Sequence, residues 1–132
     1  MVPPKNAQVI DFPTSTIWFD ESGIMYSVAK PNAPQAQTLE EMKKLLDDFK
    51  KVLGGKKVCM LVESVNSTPP SKAIRDYLAE EFPKFTKAIA MLSYSPLSRM
   101  VANLFFTVKK QPYPTKFFEN EKAAKECLKQ YL

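Results

Sequence analysis

A mixed, mostly parallel α/β sheet is the architecture this sequence predicts, and three observations predict it. Short apolar or β-branched runs alternate with amphipathic helical stretches along most of the 132 residues. The first two runs are separated only by Asp20-Glu21-Ser22-Gly23, a turn, and so form an antiparallel hairpin. The later runs are separated by helix-length stretches, which parallel neighbours require. With right-handed crossovers, the expected order is β-β-α-β-α-β-α-β-α, about five strands and about four helices.

Residues 1–13 hold three prolines and little periodicity, so they are expected to form a flexible N-terminal arm, with one domain over 14–132. Thr16 to Phe19 and Ile24 to Val28 are the hairpin strands. Lys30 to Gln37, with Pro31 and Pro34, is a connecting loop. Thr38 and Glu41 form a capping box for the first helix. Its buried stripe is Leu39, Met42, Leu45, Leu46, Phe49, Val52 and Leu53, and Gly54-Gly55 ends it. Glu40–Lys44 and Asp47–Lys51 are i,i+4 pairs on its wet side.

Lys57 to Val62 is the next strand. A loop of hydroxyls and prolines, Glu63 to Ser71, leads to a helix that buries Ala73, Ile74, Tyr77 and Leu78. That helix weakens at Phe82-Pro83, because proline disfavours helix in the residue before it. Ala88 to Leu92 is apolar without alternation, as suits a strand covered on both faces. Ser95-Pro96 then starts a helix with Leu97, Met100, Val101, Leu104, Phe105 and Val108 inward. Thr115 to Phe118 is a short last strand. Asn120 caps a final helix with Ala124, Cys127, Leu128 and Tyr131 inward. Leu46, Met60, Leu92, Val101 and Leu104 are the expected centre of the core.

Composition narrows the function. Histidine is absent, which removes Ser-His and Cys-His nucleophile pairs and most zinc sites. The three glycines are turn or cap residues, so no phosphate-cradling loop or dinucleotide fingerprint exists. A Ser–Lys hydrolase has no marker, and the expectation is a non-enzyme without cofactor or metal. The two cysteines, Cys59 and Cys127, read as buried reduced thiols, which fits the cytoplasm. No apolar run is long enough to cross a membrane, and the first residues lack the order of a signal peptide. Residues 1–71 hold eight basic and eight acidic side chains, whereas 72–132 hold eleven and six. The excess could attract an acidic partner, but with only two arginines it reads as solvated lysines rather than a nucleic-acid surface.

Candidate binding residues lie where the strands end. Ligands of open parallel sheets bind beyond the strands' carboxyl ends, beside helix N-termini that favour anions. Two such ends are rich in hydroxyls: Glu63 to Ser71, and Ser93, Ser95 and Ser98 running into Arg99 and Asn103. Ordinary helix capping explains part of this pattern. Arg99, Asn103 and Phe106 follow one another at +4 and +3, and Lys110 extends the stripe. Phe106 is surplus to the inward face. It is expected either to lie under the 109–118 loop or to anchor an interface, most simply a homodimer.

The second half carries a resemblance. Ser93, Ser95, Pro96, Leu97, Ser98, Arg99, Ala102, Asn103 and Phe105, then Lys110, Pro112, Pro114, Lys116 and Phe118, resemble the STAS-like, SpoIIAA-like family, in its bacterial STAS/SEC14-type branch. The resemblance implies a SpoIIAA-like α/β fold over 14–132. It also implies that hydroxyls after the third strand are phosphorylated to control docking to a protein partner. Here those hydroxyls are Ser64, Ser67 and Thr68, with Glu63 where an aspartate is typical. Other relatives bind lipids or small ligands. The expected function is therefore a cytoplasmic protein-interaction or regulatory module without membrane insertion. A small-ligand or lipid binder is the alternative.

Overall fold

A computed structural model of the protein describes residues 2–12, 15–30, 38–63, 71–92 and 112–132. These residues form strands β1 (Ile10–Asp11), β2 (Ser15–Phe19), β3 (Met25–Ala29), β4 (Val58–Glu63), β5 (Thr86–Leu92) and β6 (Thr115–Phe118). Helix α1 (Leu39–Leu53) lies between β3 and β4, α2 (Lys72–Glu81) between β4 and β5, and α3 (Glu121–Lys129) follows β6. The sheet order is β1-β2-β3-β4-β5-β6. The first three strands are antiparallel neighbours, and β3 to β6 are all parallel.

Alternation sorts the side chains of every strand onto two faces. One row runs Trp18, Tyr26, Leu61 and Ala90, residues paired in register across four strands. It packs with Ala124 and Leu128 of α3. On the opposite face Phe19, Met25, Met60 and Ile89 share a register, and Leu46 and Leu53 of α1 and Tyr77 and Leu78 of α2 cover them. The expected core residues Leu46, Met60 and Leu92 are buried. Val101 and Leu104, with the whole expected helix from Leu97 to Val108, lie outside the described residues.

Alanine makes room for α3. Ala88 and Ala90 on β5 and Ala124 on α3 are all buried in that cluster, so the helix can lie close to the sheet. The Cys59 thiol donates to the Leu128 carbonyl at 3.8 Å, which places the end of α3 over the start of β4. Burial pushes the Cys59 thiol up, against an opposing pull from Lys87.

The helix ends follow the local sequence. Thr38 Oγ1 accepts from the Glu41 amide at 3.1 Å, and Asn120 Oδ1 accepts from the Ala123 amide at 2.8 Å. Gly54 sits at φ 62°, where its amide donates to the Lys50 carbonyl and closes α1. α2 gives way at Phe82–Lys84 to a 3₁₀ turn containing Pro83.

Several expectations need correction. The stretch expected to be a flexible arm contributes a sixth strand: Ile10 and Asp11 pair with Ile17 and Thr16, and Phe12 is buried. Val52 is 37% exposed. It continues the flank of α1 that starts at Leu45, whereas the covered face runs through Leu46, Phe49 and Leu53. Ala73 is exposed one position round the helix from buried Ile74. Cys127 and Tyr131 are only half-buried. The pairs Glu40–Lys44 and Asp47–Lys51 do not close to ion-pair distance, as long exposed side chains gain little by doing so.

Leu61 is fully buried on the α3 face of β4. Leu61→Ala should therefore lower stability by about 2–5 kcal/mol, measured by denaturant unfolding. A loss well below this range would mean that β4 is not the central strand.

Candidate functional site

β4, β5 and β6 end in one row, because Glu63 pairs with Leu92 and Leu92 with Phe118. The row continues to Val28 on β3. This is the carboxyl edge of the sheet, and the three helices among the described residues begin on it, each following a strand that ends there. The chain leaves this edge at Glu63 and returns at Ser71. It leaves again at Leu92. The hydroxyls Ser64, Ser67 and Thr68 belong to the first segment, and Ser93, Ser95, Ser98, Arg99, Asn103, Phe106 and Lys110 to the second. All ten lie outside the described residues, so their side-chain positions form no part of the geometry.

The described residues do define the N-terminus of α2. Ser71 Oγ accepts from the Ile74 amide at 3.4 Å. No acidic residue occupies the first turn, whereas α1 has Glu40 and Glu41 there and α3 has Glu121. α2 instead carries Lys72 and Arg75 in its first four residues. Cations at this end oppose the helix dipole. Lys72 pairs with Asp76 at 3.2 Å. The Nε of half-buried Arg75 is itself enclosed and has no hydrogen-bond partner among the described residues.

Elsewhere on the carboxyl edge, Lys30 pairs with Asp11 at 3.4 Å, and Thr16 Oγ1 donates to the same carboxylate oxygen at 3.5 Å. Among the described residues no group of histidine, cysteine, aspartate and glutamate side chains could hold a metal. No helix among them is long and apolar enough to cross a membrane.

Two polar clusters were not anticipated from sequence. Asp20 organises the hairpin turn. Its Oδ1 accepts from the Ser22 amide at 2.9 Å, the Ser22 hydroxyl at 2.6 Å and the Ile24 amide at 3.1 Å. Its Oδ2 accepts from the Tyr26 hydroxyl at 2.9 Å and faces Lys125 of α3 at 3.6 Å. Burial alone would raise the Asp20 pKa, but the hydrogen bonds from Ser22, Tyr26 and Ile24 outweigh it and hold the carboxyl below its ordinary value. Burial first, then the hydrogen bond to Asp20 and the charge of that carboxylate, push the Tyr26 phenol up. The turn residues marked a turn in the sequence; only the fold reveals that Tyr26 and Lys125 reach the same carboxylate.

Glu81, at the end of α2, joins the helices instead. Its two carboxylate oxygens accept from Lys50 of α1 and from Lys84, and its side chain is 12% exposed. Hydrogen bonds from Lys50 and then Lys84 hold its carboxyl below the ordinary range. These two clusters tie elements together.

The architecture is that of SpoIIAA-like α/β proteins. An uncharacterised protein of the DUF3478 family from Shewanella loihica PV-4, with a SpoIIAA-like fold, superposes with a TM-score of 0.56 at 17% identity, covering 97% of this chain and 99% of that one. The chain itself belongs to the family described as "Domain of unknown function (DUF7793)", whose model matches residues 17–132. A protein of unknown function from Arthrobacter sp. FB24 is 25% identical over 85% of this chain and 90% of that chain, with a TM-score of 0.31. No curated protein matches.

The Glu81 cluster makes a pH-dependent prediction. A folded pKa below the unfolded value contributes stability that is present above the unfolded pKa and lost as pH falls through the folded one. Glu81→Gln should cost about 1–2 kcal/mol at neutral pH, between the values for exposed and buried pairs. The gap between variant and parent in thermal unfolding should close below about pH 4, as Glu81 itself protonates in the parent. A gap that persists undiminished at lower pH would contradict the ion pairs.

Proposed function

We propose that this chain is a non-catalytic interaction module of the cytoplasm that docks a protein partner at the carboxyl edge of its sheet, under control of phosphorylation at Ser64, Ser67 or Thr68. The supporting observation is the N-terminus of α2. Helices ordinarily complement this end with acid, as α1 and α3 do here. α2 presents Lys72 and Arg75, whose Nε has no hydrogen-bond partner among the described residues, beside the backbone amides of its first turn. Ser67 and Thr68 stand four and three residues before its cap, Ser71. A phosphate on either would supply the anion that this helix end lacks. Charge-assisted hydrogen bonds would hold it, and nothing in the core would have to move. Partner choice would then change with the charge of the edge. Ser93, Ser95, Ser98, Arg99 and Asn103 belong to the neighbouring segment that leaves the same edge from β5, and would extend the contact. Phe106 and Lys110 are candidates for an interface, including one between two copies of the chain.

Phosphopeptide mapping of the protein from its own cells tests this reading. The expected result is one phosphate on the peptide spanning Ser64 to Thr68, and a Thr68→Glu variant with a nearly unchanged melting temperature and an altered set of bound proteins. Unmodified hydroxyls, together with a Thr68→Glu variant that binds as the parent does, would overturn it. Native mass spectrometry separates the alternative reading: a co-purifying small molecule or lipid would favour a ligand carrier over a docking module.

A further inference from the structure

The edge opposite the proposed docking surface has its own chemistry. The stretches 50–57 and 81–87 contain six lysines, no arginine and one carboxylate, Glu81. The fold brings the two stretches together. The Val58 amide donates to the Phe85 carbonyl at 2.9 Å, and Val58 is in register with Thr86. Lys57 therefore enters β4 beside β5, which Lys84 precedes and in which Lys87 is the second residue. Lys50 and Lys84 meet on the single carboxylate, Glu81. Lys51, Lys56, Lys57 and Lys87 are exposed and have no ion-pair partner among the described residues. Lys129, paired with Glu126, stands near the same edge, because Leu128 lies over Cys59. Lys50 and Lys51 complement the C-terminal dipole of α1. With the pairing of Lys84 on Glu81, that accounts for three of the six lysines and leaves Lys56, Lys57 and Lys87 without an ion-pair or capping role among the described residues.

The composition of the patch selects among polyanions. Sequence-reading nucleic-acid surfaces and protein hot spots use arginine forks and exposed aromatic rings. This edge has neither: the aromatic residues in the two stretches are Phe82, half-buried, and Phe85, buried. Lysine is a flexible point charge with no planar fork. A lysine-only surface suits a partner whose negative charge is diffuse and laterally mobile. We infer that the amino edge, through Lys51, Lys56, Lys57 and Lys87, rests on the surface of an anionic lipid bilayer. The attachment is electrostatic and peripheral, with no inserted segment. It holds the carboxyl edge, at the other end of the strands, away from the lipid and open to a protein.

Flotation with vesicles tests this independently of phosphorylation. Vesicles of phosphatidylcholine carrying one quarter phosphatidylserine should retain the full chain, whereas pure phosphatidylcholine should not, and added salt should release it. Each neutralised lysine should lower the vesicle partition coefficient about fivefold, so Lys56→Gln/Lys57→Gln/Lys87→Gln should lower it about a hundredfold with an unchanged melting temperature. Lys44→Gln/Lys116→Gln/Lys122→Gln removes the same charge elsewhere on the surface and should bind as the parent does. Absence of binding to phosphatidylserine at low salt, an equal loss in both triple variants, or retention by duplex DNA in preference to the vesicles would each overturn the inference.

Discussion

The structure depends on in-register pairing of β4 with β5, covered on both faces. Cys59 to Glu63 pair one for one with Ala88 to Leu92, after a single irregularity at Val58/Cys59. Each paired position then sends its side chain to one of two cores. Met60 and Ile89 meet α1, and Leu61 and Ala90 meet the α3 side. A slip of one residue would exchange the two faces for the whole strand. It would set Met60 and Ile89 against a helix that the alanines allow to come close. The same register fixes the row in which the strands end, so the geometry of the carboxyl edge follows from core packing rather than from any contact at the edge itself.

The sequence was informative where the cause is local. The Thr38 cap needs only its own first turn, the Gly54 stop needs only a left-handed residue, and Pro83 weakens α2 at its own position. The strands β4 and β5 were found because a run without polar residues has few other places to go. The misses share a different cause. β1 is two residues long and exists only because β2 offers an edge to pair with. Val52 belongs to an apolar stripe by spacing, but the width of the covered face is set by the sheet beneath it. Glu81 and Asp20 bond to Lys50 and Lys125, 31 and 105 positions away along the chain. No spacing rule in one sequence connects them. The candidate hydroxyls rest on composition, strand order and the family resemblance, and what the fold adds is the basic N-terminus of α2 immediately downstream of them.

The two ends of the strands differ in kind. Among the described residues, the lysines of the two amino-edge stretches meet one carboxylate, Glu81. The carboxyl edge has helix N-termini, a mixed set of charges and the starting points of two segments rich in serine and threonine. Among the described residues, no group of cysteine, aspartate and glutamate side chains could hold a metal ion. On the two proposals together, the protein is held on one surface at the amino edge while being read on another at the carboxyl edge.

Photo-crosslinking in living cells measures where a protein partner lies. A photoreactive amino acid placed at Lys72 or Glu119, both exposed on the carboxyl edge, should trap the partner. The same residue at Lys44, on the outer side of α1, should not. Cross-links from the α1 position alone, or none from either edge position, would contradict the assignment of the carboxyl edge as the docking surface.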